Sequence, residues 1–572
     1  MTIVAGLQAR DLGARGSKLA LGDSDPAGSI PLSALRVLAA VPRWWAARAA
    51  AVGLQPPWLD VERAIEAPAP SLGAVAPDES VRGSWSGERL GQAYVDALSR
   101  EIRLRHGRHY TPAELSGTLW RMARRALGHG ATARRLSGLV QDPASGAGAL
   151  LLPPLREHLA AHGTVDAEFT IAGLPNVISG VDTDPYAVWL ANVVLAAEAL
   201  PAFASIPARR RPKFPQIVRV GDGLQVDRGQ ARVVIMNPPY GRVRLSRADR
   251  ERFGDVLYGH ANLYGLFMAA GLEALDDEGV LAALVPTSFM SGLYFTNLRD
   301  TLAKKASLRE ATFVVDRGQT FSGVLQETCM VVFSRKKGRR TVIASMNGHI
   351  DQVARVKTPK GAGPWLLPRR ADDAPFAAAA ISMPLTLREV GWEASTGPLV
   401  WNRRKGDLGP TPVRGSVRVV WASDIDGGHL HRDRERDHLR YLKLAGPEDE
   451  ATMVLAQPAV LVQRTTAPEQ RRRLVVAELT SAELEANGGR VVVENHVNVL
   501  RPRASAVLSQ RVLTQVLKTT TVDRVMRCLC GSVAVSAYEL EALPLPAESV
   551  LAEWEAADPD DLPRLVAEAY RL

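Results

Sequence analysis

Between about residue 96 and residue 345, short β-branched runs alternate with helical stretches, and this rhythm constrains the fold more than any other feature. SGLVQDP, NVISGVD, QIVRVGD, ARVVIMNPP, GVLAALVP and EATFVVD each read as a buried strand that ends in a polar or Pro/Gly turn. DPYAVWLANVVLAAEAL and NLYGLFMAAGLEALDDEG read as the helices between them. Strand–helix alternation of this kind predicts a doubly wound α/β sheet, Rossmann-like in layout, whose ligands bind beyond the carboxyl ends of the strands. The chemistry is therefore expected in the residues that follow each strand.

The flanking regions differ. Residues 1–95 alternate helical pieces with Pro- and Gly-rich breaks, and Trp44 and Trp45 on an Ala-rich helix are expected to pack inward. Residues 346–572 lose the rhythm and become short strands, turns and arginine clusters, which predicts a second, irregular domain with basic loops. The acid- and alanine-rich piece from about Ser549 reads as a solvated cap. A chain of 572 residues is long enough for two or three such domains. Lys and Arg total 70 against 61 Asp and Glu, a balance that suits a polyanionic partner. Three cysteines, Cys329, Cys528 and Cys530, form no disulfide framework or CxxC pair and suit a reducing compartment, so a cytoplasmic location is expected. The N-terminus carries no apolar secretory segment. The most apolar stretch, from Tyr186 to Pro207, contains Asn192 and Glu198 and is broken by Pro201, so it predicts a buried helix rather than a membrane span. No cluster of metal-ligand type is apparent, and no metal is expected.

The first strand end reads Asp142-Pro143-Ala144-Ser145-Gly146-Ala147-Gly148. Gly146 and Gly148 allow a ligand close to the backbone at the start of the next helix. Asp142 is ill suited to phosphate and well suited to a cation. S-adenosylmethionine offers an ammonium beside a positively charged sulfonium. A plain strand-to-helix turn with a helix-start Asp is the other reading. The second strand end, Gly180-Val181-Asp182-Thr183-Asp184-Pro185, places Asp182 where a carboxylate can bind both ribose hydroxyls of an adenosine, with Asp184 as the cap of the following helix. The third, Val220-Gly221-Asp222-Gly223, puts Asp222 where it can receive an adenine amino group or simply make a β-turn.

The fourth strand end is Asn237-Pro238-Pro239-Tyr240. Two prolines remove two backbone donors and stiffen the turn. The Asn237 amide oxygen and the Pro238 carbonyl are then expected to be free acceptors in a fixed fork, which fits an exocyclic amino group. Accepting both hydrogens draws the nitrogen lone pair out of conjugation and toward a methyl donor. Tyr240 offers a face for a planar base, worth about 1–3 kcal/mol. A rigid turn with no chemistry is the alternative.

The DPASGAG and NPPY pair resembles the amino-methyltransferases of bacterial restriction–modification systems, specifically the adenine-N6 enzymes whose cofactor motif precedes the catalytic motif. Arg108-His109-Tyr110-Thr111-Pro112 is similar to the family's YTP segment, and the resemblance implies that Tyr110, Thr111 and Pro112, with Ala144 of the glycine turn, cover the cofactor. Val285-Pro286-Thr287-Ser288-Phe289 resembles a later strand. Gln319-Thr320-Phe321-Ser322-Gly323 falls where the family carries an aromatic that stacks on a flipped adenine, so Phe321 takes that role, or is an ordinary core aromatic. The C-terminal part resembles the type II modification enzymes of the PstI and BsuBI group through Thr396–Asn402, Gln463–Thr466, Glu494–Asn498, and Gly531 to Leu540.

The resemblance implies a site-specific adenine-N6 DNA methyltransferase that uses S-adenosylmethionine on double-stranded DNA. Residues 96–345 would be the catalytic domain and 346–572 the target-recognition domain, with a separate cognate restriction endonuclease acting on the same site and no membrane partner. Other readings are a modification subunit that borrows a specificity protein, an NPPY enzyme acting on RNA or protein, and an inactive DNA-binding relative. Arg403, Arg404, Lys405, Arg471, Arg472 and Arg473 are expected to meet phosphates, because each triplet has little nearby acid. His496 is expected to be structural or to touch DNA, and the mixed-charge run 431–440 to be solvated.

Overall fold

The computed structural model describes residues 19–20, 30–106, 109–130, 136–162, 166–225, 227–315, 327–431, 438–466, 470–529 and 534–571. They divide into two compact units, 1–285 with 331–336, and 286–330 with 337–572.

In the first unit the short strand β1 (Leu19–Ala20) precedes β2 (Leu139–Asp142), β3 (Ile178–Asp182), β4 (Val218–Val220), β5 (Ala231–Met236), β6 (Arg242–Arg244), β7 (Ala261–Asn262) and β8 (Leu275–Pro286). The central sheet runs β8-β5-β2-β3-β4, and each of these pairings is parallel. From β2 the chain steps outward through β3 and β4, then returns to the other side of β2 as β5. With right-handed crossovers this reversal places helices on both faces and opens a crevice at the carboxyl ends of β2 and β5. Each strand expected in this region from the sequence is present.

The helix Pro185–Glu198 shows why the N-terminal residues belong to this unit. Asp184 caps it through the Tyr186 amide, and Pro185 occupies its first turn. Residues Ala187 to Ala197 are buried around its whole circumference, so something must cover the face turned away from the sheet. The helices Gly87–Ala97 and Val41–Ala51 do so. Trp44 and Trp45 are fully buried, and their indole N–H groups donate to the carbonyls of Trp85 and Trp58, each at 3.0 Å. Among the described residues no helix is long and apolar enough to cross a membrane.

The second unit contains β9 (Ser307–Val314), which pairs parallel with β10 (Arg340–Met346), itself antiparallel to β11 (Ile350–Lys357). Beyond these the region is more regular than its sequence suggests. One antiparallel sheet orders Trp392–Thr396, Val497–Pro502, Ala459–Gln463 and Val476–Leu479, and a five-stranded sheet lies in the same unit. The terminal segment is not a solvated cap. Helices Glu548–Ala556 and Leu562–Ala569 bury Leu551, Trp554, Leu562 and Val566 in the core formed with Trp392, Leu513 and Val525. Their acids occupy the opposite face, which is why composition alone reads as solvated.

Candidate active site

The glycine turn follows β2. Gly146 and Gly148 have φ of +50° and +86°, values that side-chain-bearing residues avoid, and a Cβ at Gly148 would sit 3.3 Å from the Ala191 side chain. The Gly146 amide donates to Asp182 Oδ2 at 2.8 Å, and Asp182 Oδ1 accepts the Asp184 amide at 2.9 Å. Asp182 thus ties the end of β3 to the turn after β2, and it remains only partly covered. Asp184 is the helix cap and also accepts the buried Tyr94 hydroxyl at 2.7 Å.

Asp142 is 1% exposed and accepts the Ala144 amide at 3.0 Å. Burial pushes its carboxyl up to about 8; the Ala144 hydrogen bond works against this, and the nearby Asp182 charge adds to it. The folded chain therefore holds a proton that the unfolded chain releases near pH 4. That contribution to stability is present in acid and is lost as pH rises through about 8. Asp142→Asn is expected to flatten this fall when unfolding is followed from pH 5 to 9, and an unchanged profile would contradict it.

Two further segments close on this turn. Gly223 lies so near it that a Cβ there would fall 1.7 Å from the Pro143 carbonyl oxygen, so no larger residue fits. Asp222, by contrast, is exposed and accepts the Leu224 amide at 2.9 Å, the geometry of a local turn. Tyr110 packs beside Gly91 and Ala147; a Cβ built on Gly91 would meet both. Its ring is 7% exposed and its buried hydroxyl makes no hydrogen bond among the described residues. Burial also raises the tyrosine's pKa well above its ordinary value. Pro112 begins the helix Ala113–Ala126.

Thr111 links this region to the turn after β5. Asn237 Nδ2 donates to Thr111 Oγ1 at 3.0 Å. The amide oxygen then faces Tyr240, whose single hydroxyl proton is shared between Asn237 Oδ1 and the Leu284 carbonyl, each at 3.1 Å. The Asn237 oxygen is therefore not the free acceptor expected from the sequence. It keeps a second lone pair, and the hydrogen-bonded chain fixes its direction. Pro238 is buried, and Pro239 and Tyr240 are partly exposed. The Tyr240 ring meets Tyr264 edge-on, 6.0 Å between centroids. Sequence reasoning did not single out Gly223, Tyr264 or Leu284. Only Gly223 left a signal, the glycine that follows Asp222. Phe321 lies outside the described residues.

The arginine assignments in the second unit change. Arg404 is mostly buried and ion-paired with Asp407 at 2.6 Å and Asp449 at 2.8 Å, which hold its pKa above the ordinary value. Arg472 bonds to the Lys518 and Thr519 carbonyls at the end of the helix Gln510–Lys518, with Asp523 near by. Arg473 is 1% exposed; its side chain bonds to the Thr466 carbonyl, and its amide donates to Asp523 at 2.7 Å. These three side chains support the unit itself. Arg403, Lys405 and Arg471 remain exposed, with Lys405 over the Trp401 ring. Within the run 431–440, of which 432–437 lie outside the described residues, Arg440 is buried against the fully buried Asp424 at 2.8 Å rather than solvated.

Four motifs distant in sequence converge in this unit. The Asn495 amide donates to Leu399, the Arg464 amide to His496, and Asn498 Nδ2 to Val535, at 2.9, 2.7 and 2.8 Å. His496 Nδ1 lies 2.6 Å from the buried carboxylate of Glu494.

Residues 176–321 match the family model described as Eco57I restriction-modification methylase. That span holds Asp182, Asp222 and Asn237–Tyr240, whereas the glycine turn precedes it. The chain is similar to the type II methyltransferase M.BsuBI of Bacillus subtilis, 24% identical over 330 residues, and to M.PstI of Providencia stuartii, 26% identical over 337. Each match covers 55% of this chain and 65% of the relative, just under two thirds of its length. Among solved structures, the type IIL restriction-modification enzyme MmeI in complex with DNA aligns over 87% of this chain and 78% of its own, at 12% identity and a TM-score of 0.50, a likeness of fold. At the level of family, the chain is similar to restriction–modification methyltransferases, with an α/β methyltransferase-like region and an additional domain.

Proposed function

We propose that the chain is a DNA adenine-N6 methyltransferase that uses S-adenosylmethionine. The observation that carries this reading is the pairing of two strand ends at the reversal of the sheet. A buried carboxylate suited to a cation ends β2, and a stiff Asn-Pro-Pro-Tyr turn follows the adjacent β5, with Asn237 oriented through Thr111. Similarity to restriction–modification methylases supports DNA as the substrate. A separate endonuclease that cuts at the same site belongs to the same proposal.

The residues fit such a cofactor. Asp142 is a nearly inaccessible carboxylate, Tyr110 keeps a buried hydroxyl without a hydrogen-bond partner among the described residues, and the glycine turn leaves backbone room where side chains would intrude. Asp142 and Tyr110 would hold the charged end, Asp182 the ribose hydroxyls, and Gly146 and Gly148 the close approach. Asp222, exposed in its own turn, would receive the adenine amino group of the cofactor. When bound, S-adenosylmethionine supplies a methyl group on a positively charged sulfur.

The chain's own part is positioning. An adenine must leave the duplex to reach the turn, at a cost of a few kcal/mol. Asn237 Oδ1, held by Thr111 on one side of its amide and by the Tyr240 hydroxyl on the other, and the Pro238 carbonyl would accept the two amino hydrogens. The Tyr240 ring would support the base. Phe321 is proposed as a second stacking partner, and exposed Arg403, Lys405 and Arg471 as phosphate contacts.

Because a cation favours ionised Asp142, cofactor affinity is expected to rise with pH and level off near 8. Calorimetric titration at several pH values checks this, and Asp142→Asn should bind weakly with a flat profile. To test substrate class, labelled methyl transfer is compared on DNA, RNA and protein. Transfer to RNA or protein but not DNA would overturn the reading.

A further inference from the structure

Strand β6 begins two residues after Tyr240, in the middle of a small sheet ordered β1-β6-β7. Its pattern is Arg242 exposed, Val243 buried, Arg244 exposed. Val243 pairs with Leu19 on one side and Ala261 on the other, and the Leu263 amide closes back on the Gly241 carbonyl at 2.9 Å. The strand is thus pinned at both edges, and its two arginines stand on one face. Residues two apart on a strand are about 6.5–7 Å apart. Arg250, on the following helix Arg247–Arg252, and Tyr258 beyond it are also exposed.

We propose that Arg242 and Arg244 grip the backbone phosphates that flank the flipped nucleotide. This rests on the proposed function. A base held at Asn237 stays joined to its sugar and flanking phosphates, so those phosphates must lie near the turn. Chain reach keeps the Arg242 and Arg244 Cα atoms within about 7 Å and 14 Å of that of Tyr240. Paired cations on a fixed strand suit a regularly spaced polyanion.

The test measures affinity of the full chain for a fluorescent 30-base-pair duplex between 50 and 200 mM KCl, beside methyl transfer to genomic DNA. Each lost phosphate contact should reduce the slope of log affinity against log salt by about 0.9. The Arg242→Ala/Arg244→Ala variant is therefore expected to shed about 1.8 of slope, so its affinity falls roughly tenfold less than wild type over that range. Arg242→Lys/Arg244→Lys keeps the charges and should keep the slope. An unchanged slope in the alanine variant, with wild-type transfer to DNA intact, overturns this inference alone. A slope that changes on one duplex sequence and not on others also overturns it, because it would indicate base reading. Loss of binding to an acidic protein partner with DNA affinity unaltered would assign the surface elsewhere. Wild type that neither binds nor methylates DNA removes the proposed function, and this inference with it.

Discussion

Asn237→Ala is expected to lower methyl transfer to DNA by about 10²–10³-fold, the scale seen when one preorganised polar group is removed from a reacting centre. The effect should fall on kcat. Asn237 hydrogen-bonds to Thr111 and Tyr240 and sits on the turn after β5, whereas Asp142, Asp182 and the glycine turn, assigned to the cofactor together with Tyr110, lie at the ends of β2 and β3. Cofactor affinity measured by calorimetry is therefore expected to stay near wild type. Asn237→Asp is more informative than alanine. It preserves shape and an acceptor oxygen but removes the donor to Thr111 Oγ1, so it separates orientation of the acceptor from its presence. A variant that loses cofactor binding and activity together would show that the turn shapes the cofactor cleft rather than the substrate amino group.

The second large effect is structural. Gly223→Ala would place a methyl 1.7 Å from the Pro143 carbonyl oxygen and 2.7 Å from its carbon, both backbone atoms. No rotamer change relieves that overlap, so either the 221–225 turn or the Asp142–Ala144 turn must move. Overpacking of this kind costs about 1–3 kcal/mol or more, which corresponds to a fall in Tm of several degrees for a unit of this size. Because Pro143 stands next to Asp142, cofactor affinity should fall with stability. Gly254→Ala is the comparison: nothing lies within 4 Å of a Cβ there, and it is expected to be nearly neutral. A Gly223→Ala protein with wild-type Tm and cofactor affinity would show that the two turns are not locked together.

The framework was legible because its determinants are local. The runs ending at Asp142, Asp182, Val220 and Met236 are short, β-branched and stopped by turn residues, and each is a strand. The reversal after β4 follows from strand order, which the sequence only implied through its alternation. The glycine turn was legible for the same reason, since positive φ at Gly146 and Gly148 is a backbone demand that few residues meet.

What the sequence hid was set by partners far along the chain. Arg404 looked unopposed until Asp449 arrived from 45 positions away, and Arg472 until Asp523 came within 3.9 Å of it. Charge counted in a window cannot detect such pairs. Asn237 shows the opposite limit, because its occupied oxygen depends on Tyr240, only three residues on, folding back over it. Residue type fixed the chemistry of that turn, and tertiary packing fixed which atoms face which. The terminal helices make the same point for burial: Leu551 and Trp554 stand three apart among acids, and only the core around Trp392 reveals which face turns inward.

The most direct measurement incubates unmethylated genomic DNA with S-adenosylmethionine and the full chain, wild type beside Asn237→Ala, and quantifies methylated nucleosides after digestion. N6-methyladenine that accumulates with wild type and nearly vanishes with the variant is the expected result. Methylcytosine in its place, or N6-methyladenine formed equally by both proteins, would contradict the assignment of the Asn237–Tyr240 turn as the site that receives the adenine amino group.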